Sequence, residues 1–180
     1  RGRAVLLIIF IMIILSTIFF YVGYFFQKKY LQYSLDQYNE QISGTYSQLI
    51  KDVKRKYTED LYKILERTEI SKLIAEKKRD ELFIKLLPVY KKLKDEDPFF
   101  HVMHITDSRS ETVMRMHKPD SYGDSLKGLR PILDDAHRFQ VPMTGFEAGI
   151  HGLFFRTMVP VYNYDKYVGV IEVGVDVEVL

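Results

Sequence analysis

The sequence contains no cysteine and no tryptophan, and the missing cysteines exclude several classes of protein. Without thiols the chain can form no disulfide scaffold, no zinc ribbon and no iron–sulfur cluster, and it can use no cysteine nucleophile. Neither sign of charge is in excess, because the 180 residues include 26 Lys and Arg and 24 Asp and Glu. This near balance gives no electrostatic reason to expect nucleic acid as a partner.

A long apolar run opens the chain. Residues Ala4 to Phe26 carry no charge, and as a helix they would span roughly 34 Å, enough to cross a bilayer core. A signal peptide is the competing interpretation, but its apolar region is normally shorter, about 7 to 15 residues. We therefore predict a transmembrane helix at residues 4–26. Basic residues occur on both sides of it, so its orientation stays open.

The next segment, residues 27–98, has a helical pattern. Apolar residues recur every three, four or seven positions, which predicts a long amphipathic helix over residues 27–66. Two shorter helices are predicted at residues 69–78 and 80–93. The apolar stripe needs a partner, and we expect it to pack both on its own domain and on a second copy of the chain, as a homodimer through the long helix. The stripe comprises Leu35, Tyr38, Ile42, Leu49, Val53, Tyr57, Leu61 and Ile64.

Beyond Pro98 the apolar residues alternate with a period of about two, which is typical of strands. The predicted fold class is α+β, in which the transmembrane helix continues into the long helix and two shorter helices, and a five-stranded antiparallel sheet with one inserted helix follows. We expect this sheet domain, residues 99–180, to continue past Leu180 as part of a longer protein. The predicted strands are 99–106, 111–117, 141–148, 153–162 and 167–178, and the inserted helix is 124–139.

One face of the predicted sheet carries polar residues that suit a ligand cavity. Side chains alternate along a strand, so Ile171 and Val173 share one face and Glu172 lies on the other. If the apolar face packs on the long helix, the opposite face gathers several charged groups under residues 118–139. A guanidinium pairs bidentately with a carboxylate, so such a cavity suits a small anion or a zwitterion. The gathered residues are His104, Arg115, His117, Arg156 and Glu172.

A purely structural interpretation of the same residues stays open. Arg115 would then pair with Glu172, and Arg156 with Glu147, so that half-buried charges are simply satisfied. Arg130, in the segment GLRP, either points into the cavity or braces the loop before the inserted helix.

No motif predicts catalysis or a metal centre. The sequence has no Ser-His-Asp order, nucleophile elbow, HExxH or phosphate-binding glycine loop. His101 and His104 are three residues apart on a predicted strand, which places them on opposite faces. His104 and His117 form a better pair, yet no third ligand accompanies them. We predict no catalytic residue, no metal site and no cofactor.

Several segments together resemble a known family. They are the run FFHVMHITDSRSETVMRMHKPDSYGDSLKGLRP, the stretch GFEAGIHGLFFR and the ending PVYNYDKYVGVIEVGVD. The chain is similar to the single Cache-type (PAS-like) extracytoplasmic sensor domains of bacterial transmembrane receptors. The resemblance implies a cytoplasmic output, such as a chemoreceptor, histidine kinase or cyclic-dinucleotide enzyme. It also implies ligand-binding positions at Arg115, His117, Tyr122, Arg130, Phe155, Arg156 and Glu172.

One departure limits the ligand. The amino-acid-binding pattern of this family requires a tryptophan, which the chain lacks. The leading hypothesis is a homodimeric sensor, anchored in the bacterial inner membrane with its sensor domain periplasmic or extracellular. It would bind a small ligand, expected to be a carboxylate, and pass a helix movement across the membrane. The alternative is a membrane-tethered interaction module with a filled pocket that recruits a periplasmic binding protein. A membrane-anchored enzyme is the weakest hypothesis, because no nucleophile and base occur together.

Overall fold

The computed structural model describes residues 2–149 and 152–177, and the chain divides into two units that meet between Gln48 and Leu49. The first helix, α1, runs from Gly2 to Leu65 and contributes to both units. The predicted transmembrane and long helices are thus one continuous helix. Within α1, an 18-residue window reaches a mean hydropathy of 3.0, so this segment is long and apolar enough to cross a membrane.

Two shorter helices follow in the second unit. Helix α2 spans Thr68–Ala75 and α3 spans Arg79–Glu96, close to the predicted bounds. Lys77 joins them in a left-handed conformation with φ of 53°. Its ammonium group contacts Asp107 at 2.7 Å and Glu111 at 3.2 Å, so the helix connection is tied to the turn after the first strand.

The five strands form one antiparallel sheet of order β2-β1-β5-β4-β3. This arrangement confirms the predicted α+β class with a five-stranded sheet. The predicted end of the last strand, Glu178, lies outside the described residues. The strands are β1 Phe100–Asp107, β2 Thr112–Arg115, β3 Met143–Gly149, β4 Gly152–Asn163 and β5 Lys166–Asp176.

The two faces of the sheet have different partners. On one face Ile171, Val173 and Val175 of β5 are buried in the main core, which also includes side chains of α2, α3 and the last turns of α1. Burial of this apolar surface is the principal source of stability. The opposite face holds a smaller apolar cluster, in which Met158 and Val170 pack with Leu133 of the fourth helix.

The inserted helix is shorter than predicted. Helix α4 spans Pro131–Phe139, whereas residues 124–130 of the predicted helix are irregular. The backbone there is held by the strands instead, because the N–H of Thr112 donates to the carbonyl of Asp124 and Glu111 forms an isolated bridge with Ser125. Proline at the first helical position, with its fixed φ, suits a helix that begins at Pro131.

Candidate functional site

A cavity of about 860 Å³ opens on the sheet face that carries Glu172. Its walls come from the sheet, from α3 and from residues 117–130, which we call the connecting loop. Apolar side chains contribute as well, among them Val102, Leu126, Leu129 and Phe154. The volume is in the range of small-molecule sites. Six predicted site residues line it: His104, Arg115, His117, Arg130, Arg156 and Glu172.

Glu172 is the centre of the charged wall, and only 1% of its surface is exposed. Arg130 donates from Nη1 to Oε1 at 2.9 Å and from Nη2 to Oε2 at 2.8 Å, a bidentate pair. Arg156 donates from Nη1 to Oε1 at 2.9 Å. Nδ1 of His104 lies 3.3 Å from the same oxygen. One buried carboxylate therefore holds two guanidinium groups and an imidazole.

Glu147, on β3, is the second buried carboxylate of this wall. Arg130 donates from Nε to Oε2 of Glu147 at 2.6 Å, and Nε of Arg156 lies 3.5 Å from the same oxygen. The backbone N–H of Ile132 donates to Oε1 at 3.3 Å, so Glu147 also binds the first turn of α4. We refer to Arg130, Glu147, Arg156 and Glu172 as the Arg–Glu cluster. Its two positive and two negative charges balance.

Burial and neighbouring charges set the ionisation of this wall. Burial alone would raise the pKa of Glu172, but Arg130, His104 and Arg156 together hold that pKa well below its usual range. Burial lowers the pKa of His104, although Glu172 opposes the shift. Glu172 is therefore ionised and His104 is neutral at pH 7.

Arg115 binds a different carboxylate from the one predicted. Its Nη1 and Nη2 donate to Oδ1 and Oδ2 of Asp124, both at 2.7 Å. Nη1 also donates to the carbonyl and the hydroxyl of Ser121. The purely structural interpretation paired Arg115 with Glu172, whereas the observed carboxylate partner is Asp124 of the connecting loop. The predicted contact of Arg156 with Glu147 is present.

A second arginine fixes the connecting loop from the helical side. Arg79, at the start of α3, donates to the carbonyls of Val113 and Pro119 at 3.1 and 2.8 Å. The ring of Tyr122 lies 3.2 Å from its guanidinium carbon. Tyr122 therefore stacks on Arg79 and does not line the cavity, contrary to the predicted pocket position. Its side chain braces the loop instead.

Phe155 is also absent from the cavity wall. It pairs with Val175 across β4 and β5 and is buried in the main core, on the other face of the sheet. Alternation along β4 places Phe154 and Arg156 together, so Phe154 lines the cavity where Phe155 was predicted.

His101 reaches the cavity because of a register shift. The pairing of β1 with β5 shifts between Phe100 and Val102, and His101 is the extra residue. It lines the cavity together with His104, and its ring contacts Phe154 edge to face. The prediction that His101 and His104 lie on opposite faces was therefore wrong, because a bulge breaks the alternation.

Four further charged residues of the wall were not predicted as site residues. They are Lys94 on α3, Lys118 and Asp124 on the connecting loop, and Asp176 at the end of β5. Asp124 follows Arg115 within the polar segment KPDSYGD, so a pairing of opposite charges at a turn was the available signal. No signal in the sequence pointed to Lys94, because helix packing decides which side of α3 faces the cavity. Among residues 2–149 and 152–177, no group of three His, Asp or Glu side chains could hold a metal ion.

Known structures are similar to this chain at low sequence identity. An extracellular ligand binding receptor from Desulfohalobium retbaense is 15% identical, with a TM-score of 0.52 over 72% of this chain and 24% of that one. The E. coli DcuS sensor domain is 17% identical, with a TM-score of 0.41 over 49% and 63%. A domain of a Vibrio parahaemolyticus sensory box/GGDEF family protein is 13% identical, with a TM-score of 0.40 over 72% and 62%. The chain thus spans less than two thirds of each. No curated protein matches it significantly.

A family model supplies the assignment that the structures leave open. The model is described as a double sensory domain of two-component sensor kinases, and it matches residues 35–178. The matched range covers α2, α3, α4 and the sheet, together with the part of α1 that follows residue 34. This chain therefore belongs to the dCache_3 family of Cache-type extracytoplasmic sensor domains.

Proposed function

We propose that the chain is the sensor part of a bacterial inner-membrane signalling receptor, and that it binds a small anionic ligand in the cavity. The sensor domain would be periplasmic or extracellular. The observation that carries the proposal is the cavity of about 860 Å³ beside a buried, charge-balanced Arg–Glu cluster. The family supports a kinase output, since its description is a sensory domain of sensor kinases.

The open volume favours a small molecule over a protein partner. An interaction module that recruits a binding protein was predicted to have a pocket filled by its own side chains. Here the space is open, and its wall combines apolar groups such as Phe154 and Leu126 with hydrogen-bonding groups. This mixture is typical of small-ligand sites, where apolar surface supplies affinity and a few polar groups supply orientation.

The charge of the wall supports an anion. Basic side chains outnumber acidic ones among the lining residues of the cavity, and the imidazoles of His101 and His117 add further hydrogen-bonding groups. The basic residues are Lys94, Arg115, Lys118, Arg130 and Arg156, and the acidic ones are Asp124, Glu172 and Asp176.

Ring contacts connect the cavity to α1. Tyr90 lines the cavity and lies 5.7 Å from the ring of Phe100. Phe100 stacks on Tyr57 of α1 at 5.9 Å, and the Tyr57 hydroxyl donates to Asp97 at 2.5 Å. A ligand that binds more tightly to one arrangement of these rings would shift α1. Because α1 is continuous with the apolar segment, the shift would reach the membrane.

In a dimer formed through α1, the shift would move one α1 helix relative to that of the second copy. Leu35, Tyr38 and Ile42 are all exposed along α1, although they lie on one apolar stripe. We propose that a second copy of the chain covers them. The size of the detergent-solubilised chain, compared with a variant carrying Ser at these three positions, tests this part of the proposal.

A thermal-shift screen of the 180-residue chain in detergent tests ligand binding. The probes are organic acids, amino acids and amines, and a bound ligand raises the melting temperature because it binds only the native state. At a concentration of about 100 Kd, a ligand adds about 2.7 kcal/mol. We expect shifts with organic acids only.

The matched control is Ala148→Trp, which places a large ring at the cavity wall from an exposed position of β3. We expect it to melt normally without ligand and to lose the ligand-induced shift. A folded wild-type chain that responds to no probe would reject the small-ligand proposal, and the interaction module would replace it.

A further inference from the structure

We propose that Lys94 and Lys118 bind the carboxylate of the ligand, and that the Arg–Glu cluster meets an uncharged hydrogen-bonding end of the same molecule. This inference rests on the proposed function of the cavity as an anion site. It assigns the ligand class as a monocarboxylate with a polar, uncharged group such as a hydroxyl, keto or amide oxygen.

The donors of Arg130 are almost fully used within the protein. Nε donates to Glu147, while Nη1 and Nη2 donate to the two oxygens of Glu172. Nη2 is also 2.5 Å from Glu147. A guanidinium has five N–H donors in a fixed plane. A ligand carboxylate could approach Arg130 bidentately only by displacing one of these two buried carboxylates.

The charge balance of the cluster disfavours an additional anion. Arg130 and Arg156 already compensate Glu147 and Glu172, and all four side chains are at most 13% exposed. A ligand carboxylate placed here would set three negative charges against two positive ones, away from water. An uncharged acceptor avoids this cost. Arg156 lines the cavity and has five N–H donors, so its terminal nitrogens offer donors beyond the contact of Nη1 with Glu172 and of Nε with Glu147.

Arg115 is occupied in the same way. Both of its terminal nitrogens bind Asp124, and Nη1 additionally binds Ser121. Releasing these contacts for a ligand would free the connecting loop. Arg115 therefore positions the loop that bears Lys118 and does not have an open bidentate face for the ligand.

Lys94 and Lys118 are the basic residues of the wall that remain available. Both line the cavity and are exposed, and neither side-chain ammonium group forms a hydrogen bond or an ion pair within residues 2–149 and 152–177. They belong to different elements, Lys94 to α3 and Lys118 to the connecting loop. Five basic and three acidic side chains line the cavity, so its wall keeps a net positive charge.

Calorimetric titration with paired probes tests the assignment. The probes are lactate, 3-hydroxybutyrate and succinamate, each with its uncharged amide, and succinate as a dicarboxylate. The variant is Lys94→Gln with Lys118→Gln. The matched control is Lys91→Gln with Lys127→Gln, which removes the same charge from exposed positions on α3 and the connecting loop that do not line the cavity.

We expect the Kd of the bound monocarboxylates to rise about tenfold in the cavity variant and to stay unchanged in the control, as for two partly exposed ion pairs. The amides should bind the wild type more weakly than the acids do. Their Kd should be the same in the cavity variant and in the control variant. Raising the salt concentration from about 20 to about 200 mM should weaken carboxylate binding, because exposed charges are screened.

Three results would overturn the inference. Unchanged carboxylate affinity in the cavity variant would assign the anion to the arginines and leave the proposed function standing. Succinate binding more than about tenfold tighter than the monocarboxylates would show that the inner end accepts a charge. Wild-type protein that binds none of the organic acids would reject the anion-sensor function itself, and the inference with it.

Discussion

The two faces of strand β5 show how one strand supplies both stability and a charged site. Ile171, Val173 and Val175 are buried among apolar side chains of the helices. Glu172, between the first two, is equally buried but is surrounded by two guanidinium groups and an imidazole. Alternation of side chains is the only local difference between these positions. Two adjacent, equally buried positions therefore need different surroundings. Ile171 needs apolar neighbours, and Glu172 needs groups that compensate its charge.

The two faces also tolerate change differently. Apolar contacts are non-directional, so the core face accepts side chains of similar volume at modest cost. The charged face depends on specific pairs, and removing one member leaves another charge buried without compensation. Three predictions test this contrast, from the largest effect to the smallest.

Replacing Glu172 with Ala should lower the free energy of unfolding by about 3 to 5 kcal/mol, because Arg130 and Arg156 lose their shared carboxylate. Ile171→Val, one residue away on the core face, is the control and should cost about 1 kcal/mol. Urea denaturation of both variants measures the difference. Equal losses of stability in the two variants would show that the charged face is no more sensitive to substitution than the core face.

Acidification should lower the free energy of unfolding through the ionisable groups of the charged face. The folded protein keeps His104 neutral, since burial lowers its pKa, whereas the unfolded chain binds a proton near its ordinary pKa of about 6.5. Protons therefore favour the unfolded state as the pH falls below about 6.5. A second decline in stability should follow below about pH 4.3, the ordinary pKa of a glutamate, where the unfolded chain takes up a proton. The folded protein resists this protonation, because Arg130 and His104 lower the pKa of Glu172 against the effect of burial.

Urea denaturation between about pH 7.5 and 2 measures both declines in stability. Replacing His104 with Gln should reduce the first decline, and His117 and His137, whose pKa values burial also lowers, should retain part of it. The charged and titratable groups around His104 are Glu172, Arg115, Arg130 and His117. Stability that stays constant from pH 7 to 5 in the wild type would contradict the neutral, buried state of His104.

Replacing Tyr57 with Phe on the core face should have the smallest effect. The change removes only the hydroxyl that donates to Asp97 and keeps the ring on Phe100. The expected loss is about 1 kcal/mol, with the same pH dependence as the wild type between pH 7 and 5. A pH-dependent loss in that interval would place a titrating group on the face that we describe as apolar.

Sequence reasoning predicted the contrast between the faces because it depends on local periodicity. The alternation of Ile171, Glu172 and Val173 follows directly from strand geometry, and so does the shared face of His104 and Glu172 once the sheet is antiparallel. For the same reason, six of the eight predicted site residues lie together at the cavity. Their role in ligand binding stays a prediction, as do the domain limits.

The missed features depend on tertiary geometry. His101 reaches the cavity through a bulge, which no pattern in FFHVMH reveals. Asp124 and Ser121 bind Arg115 from the irregular connecting loop, whereas the predicted helix already began at residue 124. Phe155 was assigned from family resemblance, and strand alternation relative to Arg156 would have placed it in the core.

The Arg–Glu cluster has a consequence for how the ligand preference of this fold can change. The inner end of the cavity is neutral only because Glu147 and Glu172 each contribute one negative charge. Glu147 lies on the edge strand β3, where it also binds the backbone of α4. An acidic-to-amide change at this position would leave one guanidinium charge uncompensated and still provide an acceptor for Ile132. Under the proposed function, we therefore expect Glu147→Gln to let the inner end of the cavity accept a negatively charged group without rebuilding the cavity.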